Sequence, residues 1–181
     1  MSGPVPIESE VKLRVASCEA ARERLQRAGA QLVKARHFED NHVYDDALFS
    51  LRGRGATLRL RRTPSVATLT YKGPRRMVEG VKTREERETA VGDAEATDAL
   101  LSGLGFRPVF RYQKYREAWS LGDTEVVVDE TPIGSFVEIE GEVAAVHGVA
   151  SSLGFSPADY LAESYVALFF ASGGTGDMVF P

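Results

Sequence analysis

Cysteine is nearly missing from this chain of 181 residues, with Cys18 standing alone. One thiol excludes an intramolecular disulfide, a Cys-rich zinc site and a thioredoxin-type pair. The three histidines, His37, His42 and His147, are scattered without ligand spacing and are expected on the surface or in loops. Any metal is therefore expected on oxygen or histidine ligands. No apolar run approaches the roughly 20 residues that cross a bilayer, and Met1-Ser2-Gly3-Pro4 lacks the basic start and apolar stretch of a secretion signal. The expected location is cytoplasmic, with no membrane partner. A net charge of -4 supplies no general basic surface, so no nucleic-acid partner is expected. Fixed-period repeats, long linkers and low-complexity blocks are absent, and Gly53-Arg54-Gly55 is too short for a phosphate loop.

Hydrophobic residues make up 43% and charged residues 27%, ordinary globular usage and too apolar for disorder. The length suits one domain with a substantial core. Its expected extent is 1–171, followed by a glycine-rich, flexible tail over 172–181. Alternation and turn residues predict strands near 7–14, 37–44, 57–62, 67–72, 81–91, 108–120, 125–130 and 135–141. Helices are predicted after the caps Ser17 and Asp93, over 143–153, and from Ser156-Pro157 through Tyr165 and Phe170. Eight mostly antiparallel strands without strict strand-helix alternation indicate an α+β fold on one large sheet.

Several of these strands carry one wholly ionic face. Side chains in a strand alternate between faces, so Glu8, Glu10 and Lys12 share a side opposite Ile7, Val11 and Leu13. Arg59 and Arg61 repeat the pattern, as do Lys82, Arg84, Glu86 and Glu88, then Lys114 and Arg116, then Glu138 and Glu140. Two arrangements satisfy this alternation: an open sheet with its ionic side in water, or a closed barrel with helices outside and charge within. If the faces converge, packed cations need anions and packed carboxylates need cations, since unit charges 4 Å apart interact by about 4 kcal/mol at an effective dielectric of about 20. A polyphosphate with a divalent metal supplies both: arginine and lysine suit phosphate oxygens, and Glu-x-Glu offers hard oxygen ligands.

The order of these pieces resembles the CYTH superfamily of triphosphate tunnel metalloenzymes. The resemblance rests on Glu8-x-Glu10-x-Lys12, Leu58-Arg59-Leu60-Arg61, Leu69-Thr70-Tyr71-Lys72-Gly73-Pro74, Arg84-x-Glu86-x-Glu88, Lys114-x-Arg116, Val128-Asp129 and Phe136-Val137-Glu138-Ile139-Glu140. It implies a closed eight-stranded antiparallel barrel with a charged interior, surrounding helices and a bound triphosphate. By motif position, Lys12, Arg59, Arg61, Lys72, Arg84, Lys114 and Arg116 would bind substrate. Glu8, Glu10, Asp129, Glu138 and Glu140 would hold Mg²⁺ or Mn²⁺, with Glu10 and Lys12 the candidate catalytic residues. The Thr70-to-Pro74 segment resembles the class IV adenylyl cyclase branch, which implies conversion of ATP to cyclic AMP and pyrophosphate. Hydrolysis of inorganic triphosphate, thiamine triphosphate or nucleoside triphosphates is the alternative, and a non-catalytic polyphosphate or nucleotide module the third. Val43 and Asp46 depart from the tyrosine and threonine common at those places in relatives. Members of the group are often dimers, so a homodimer is compatible with the resemblance.

Overall fold

The ionic strand faces turn inward. The computed structural model describes residues 6–181; the Met1-Ser2-Gly3-Pro4 opening considered above lies outside the described residues. In chain order the elements are β1 (Ile7–Val15), α1 (Cys18–Arg27), β2 (Gln31–Asp45), α2 (Ser50–Gly53), β3 (Thr57–Arg62), β4 (Ala67–Lys72), β5 (Arg76–Val78), β6 (Val81–Val91), α3 (Ala94–Gly103), β7 (Arg107–Leu121), β8 (Thr124–Thr131), β9 (Gly134–Glu140), α4 (Val143–Ser152), a 3₁₀ turn at Pro157–Asp159, β10 (Tyr160–Leu161) and α5 (Tyr165–Ala171). The antiparallel sheet runs β10-β1-β9-β8-β7-β2-β3-β4-β6-β5. Pairing of Ile7, Glu8, Ser9 and Glu10 with Glu85, Arg84, Thr83 and Lys82 joins β1 to β6 and closes a ring of eight strands.

The apolar side of the ring faces out, under helices. Val11, Leu13, Val126, Val128, Val137 and Ile139 form one cluster with Ala21 and Leu25 of α1 and with Val146 and Ala150 of α4. Burying each large aliphatic side chain contributes about 1.5–3 kcal/mol, so apolar stabilisation is concentrated outside the ring. Ser17 caps α1 by accepting the Ala20 N–H at 3.1 Å, and Asp93 caps α3 by accepting that of Ala96 at 2.9 Å. On the opposite flank Tyr44, Leu60 and Leu101 pack beneath α3. Among the described residues no helix is long and apolar enough to cross a membrane.

One expectation near the C-terminus is corrected. Ser156-Pro157 starts a single 3₁₀ turn closed by the Asp159 carboxylate, which accepts both the Ser156 N–H and hydroxyl. Tyr160 and Leu161 then pair with Leu13 and Lys12 of β1, and the last helix begins only at Tyr165, behind its own cap Ser164. Within the 172–181 segment, residues 177–180 contact β7. Gln113 donates its N–H to the Met178 carbonyl at 2.9 Å, Met178 donates to the Arg111 carbonyl at 3.0 Å, and the Met178 side chain is fully buried. The physical reason is an open edge: β8 pairs only with residues 115–121 of β7, leaving residues 111–113 unpaired on that side.

Candidate active site within the ring

Register brings the predicted residues together. Glu10 lies across from Lys82 on β6 and from Glu140 on β9, Lys12 across from Glu138, and Glu8 across from Arg84. Lys72 faces Glu86, Arg61 faces Asn41, and Lys114 faces Glu39. They enclose a cavity of about 1110 Å³. Glu8, Glu10, Lys12, Arg59, Arg61, Lys72, Arg84, Lys114, Arg116, Glu138 and Glu140 all line it. Lys82, Glu86 and Glu88 line it too.

Asp129 differs from the other predicted metal ligands: it is fully buried and does not line the cavity. Both its oxygens are occupied. Arg116 reaches them through Nε at 2.7 Å and Nη2 at 2.6 Å, Lys114 Nζ lies at 2.9 Å, and the Tyr165 hydroxyl donates at 2.7 Å. On the inward side of β8, Asp129 thus holds these cations beside the lumen with both oxygens engaged. Glu138 is similarly engaged, by Lys12 at 2.7 Å and Arg116 at 2.5 Å. Burial opposes its ionisation, but Lys12, Arg116 and Lys114 hold its carboxyl well below the usual carboxylate range. Tyr165 also lies under Lys12, whose Nζ is 4.1 Å from the ring centroid, so α5 closes onto the cation wall.

Two wall residues escaped the sequence reading. Glu39 is buried, 3.1 Å from Arg61 Nη1 and 3.6 Å from Lys114 Nζ, and these cations with Arg116 keep its carboxyl low despite burial. Tyr112 lines the cavity and accepts a hydrogen bond from Arg59 at 3.3 Å. The available signal was alternation: both fall in step with recognised inward residues, Tyr112 two before Lys114, and Glu39 across the ladder from it.

A second cluster sits where β1, β6 and β9 meet. Lys72 Nζ contacts both Glu8 oxygens at 2.9 Å and Glu86 at 2.6 Å, Arg84 reaches Glu8 at 3.3 Å, and Lys82 pairs with Glu10. Glu140 has no such partner among the described residues. Burial, then Glu8 and Glu10, push its carboxyl up to about 8. The residue remains exposed at the rim, where solvent screens part of this repulsion. Among the described residues no three acids, histidines or cysteines are already drawn together at ligand spacing. The chemistry of the donor set nevertheless fits a hard divalent cation: Glu8, Glu10 and Glu140 bring oxygen donors from adjacent strands to one place, with negative charge in excess around Glu140.

The CYTH domain family model matches residues 6–165, the whole ring and the elements after it as far as the start of α5. The chain belongs to the CYTH family. A Methanocaldococcus jannaschii protein named "Putative adenylate cyclase" is 28% identical over 143 residues, 78% of this chain and 80% of that protein. Among solved structures, a "putative adenylate cyclase" from Vibrio parahaemolyticus superposes with a TM-score of 0.80 at 19% identity, covering 92% of this chain and 99% of the other. A Hippeastrum protein, described as a "putative adenylyl cyclase" that "reveals a dominant" triphosphatase activity, superposes with a TM-score of 0.69 at 19% identity, covering 93% and 96%. These structural likenesses establish the CYTH tunnel architecture for the ring described above.

Proposed function

We propose that this CYTH protein is a cytoplasmic, divalent-metal-dependent enzyme acting on a triphosphate inside the ring, most specifically a class IV adenylyl cyclase that converts ATP to cyclic AMP and pyrophosphate. One observation carries the reading: a single closed wall presents a dense set of cations beside a separate carboxylate cluster that is short of positive charge. Lys12, Arg59, Arg61, Lys72, Arg84, Lys114 and Arg116 would hold phosphate oxygens, and the buried carboxylates of Glu39, Asp129 and Glu138 keep part of that wall charged and in place. Glu8, Glu10 and Glu140 would hold Mg²⁺ or Mn²⁺. The bound metal would neutralise these carboxylates and stabilise charge on the attacking and leaving oxygens. Lys12, at the junction of the two clusters, would balance charge that shifts along the triphosphate, and Glu10 would orient the metal-bearing side.

The cavity also favours a substrate with a nonpolar portion. Val43, Phe49, Val109, Phe110 and Phe170 line it along with the ions, and such a surface suits a nucleoside better than a bare tripolyphosphate. Hydrolysis is the second reading, favoured by the activity described for the Hippeastrum relative. Incubation with ATP, thiamine triphosphate or tripolyphosphate, each with Mg²⁺ or Mn²⁺, separates the readings by product. Cyclic AMP and pyrophosphate are expected from ATP. Orthophosphate without cyclic AMP replaces the cyclase with a triphosphatase, and tight binding without turnover makes the protein a binding module.

A further inference from the structure

Tyr112 stands on β7 two residues before Lys114 and four before Arg116, so strand alternation turns it into the same lumen. The phenol has a rigid backing: its residue packs with Phe110, Phe136, Tyr165 and the buried Met178, while Arg111 and Gln113 on either side are tied to the C-terminal segment. Its oxygen accepts from Arg59 Nη1 at 3.3 Å, and Arg59 Nη2 meets Thr70 at 3.2 Å. The hydroxyl's own hydrogen has no acceptor among the described residues. Glu39 on β2 serves Arg61 and Lys114, Glu88 on β6 serves Arg59 and Thr70, and Tyr165 on α5 spends its hydroxyl on Asp129. In the C-terminal segment, Asp177 accepts the Arg111 N–H. A nine-tenths buried donor without an acceptor, facing a cavity between cations, is placed for an anionic ligand.

We propose that Tyr112 is a substrate-binding residue, donating its phenolic hydrogen to a phosphate oxygen held between Arg59 and Lys114. This rests on the triphosphate reading above. Burial opposes ionisation of the phenol, but Arg59, Lys114 and Arg61 outweigh it and bring the group down to about 8. A bound polyphosphate cancels those positive charges. The phenolate oxygen therefore takes a proton from solvent as the anion arrives, and no ligand bond is made or broken.

Titration calorimetry with tripolyphosphate on the metal-free protein, at pH 8 in buffers of different ionisation enthalpy, reads both affinity and proton uptake. Tyr112→Phe is expected to weaken binding by about tenfold or more. It should also lower proton uptake by about half a proton relative to the parent, since the phenol is near half-ionised at that pH. Tyr160→Phe, whose hydroxyl meets His147 outside the ring, should leave both readouts unchanged. Parent-like affinity or parent-like proton uptake in Tyr112→Phe overturns this inference alone. Failure of the parent to bind metal-free tripolyphosphate overturns this inference, and failure to bind it with Mg²⁺ or Mn²⁺ as well overturns the proposed function.

Discussion

Replacing Asp129 with Asn tests the electrostatic construction of the wall most directly. Around it four cations, Lys12, Arg61, Lys114 and Arg116, share three carboxylates, those of Glu39, Asp129 and Glu138. The substitution keeps the shape and removes one charge, leaving four cations to two carboxylates. At an effective dielectric of about 20, each contact near 2.7 Å contributes a Coulomb energy of about 6 kcal/mol before desolvation is counted. Desolvation offsets much of that gain, and breaking a buried pair by altering one partner typically costs about 3–5 kcal/mol. That is a large fraction of the roughly 5–15 kcal/mol by which domains are stable. Urea unfolding should therefore show a lower midpoint with an unchanged slope. Because the deficit is one of negative charge, tripolyphosphate should bind Asp129→Asn more tightly and so stabilise it more than the parent at equal free concentration. A loss below about 1 kcal/mol, or an equal response to tripolyphosphate, would refute the assignment of Asp129 as the anchor of the cation wall.

Glu140→Gln tests the carboxylate cluster. The raised group keeps its proton in the metal-free native state, so its contribution is present below the ordinary glutamate range and is lost as pH rises toward about 8. Metal-free stability should fall with pH across that window, more steeply in the parent than in Glu140→Gln, as denaturant titrations at several pH values would show; equal slopes would remove the claim. Met178→Ala should cost about 2–5 kcal/mol, because the side chain is fully buried in the cluster backing Tyr112 and Tyr165. A thermal midpoint equal to the parent's would show that the C-terminal segment carries no packing load.

The ring was legible because it is a period-2 object. Glu8, Glu10 and Lys12 face Arg84, Lys82, Glu140 and Glu138 across the ladders, and each of those segments alternates cleanly in the sequence. Caps Ser17 and Asp93 were equally local, each a side-chain oxygen meeting an N–H three residues on. What escaped depends on neighbours remote in sequence. Asp129 alternates correctly, yet the inward side of a strand position says nothing about whether Lys114, Arg116 and Tyr165 will close over it. The docking of Met178 depends on β8 pairing with only part of β7, a mismatch in strand length that no window around Met178 reveals. Ser156-Pro157 misled for the opposite reason, since the local signal was sound but the backbone of Tyr160 and Leu161 was claimed by β1.

The seam between β1 and β6 has a consequence for biogenesis. The first strand finds one neighbour in the middle of the chain and the other, β9, near its far end. During synthesis its amide groups must wait for partners made much later, and contacts so distant along the chain form slowly. Until the last hydrogen-bonded rung is laid, an intermediate carries raw strand edges capable of recruiting another molecule. Circularity removes that hazard from the eight strands of the closed ring and concentrates it in the nascent protein.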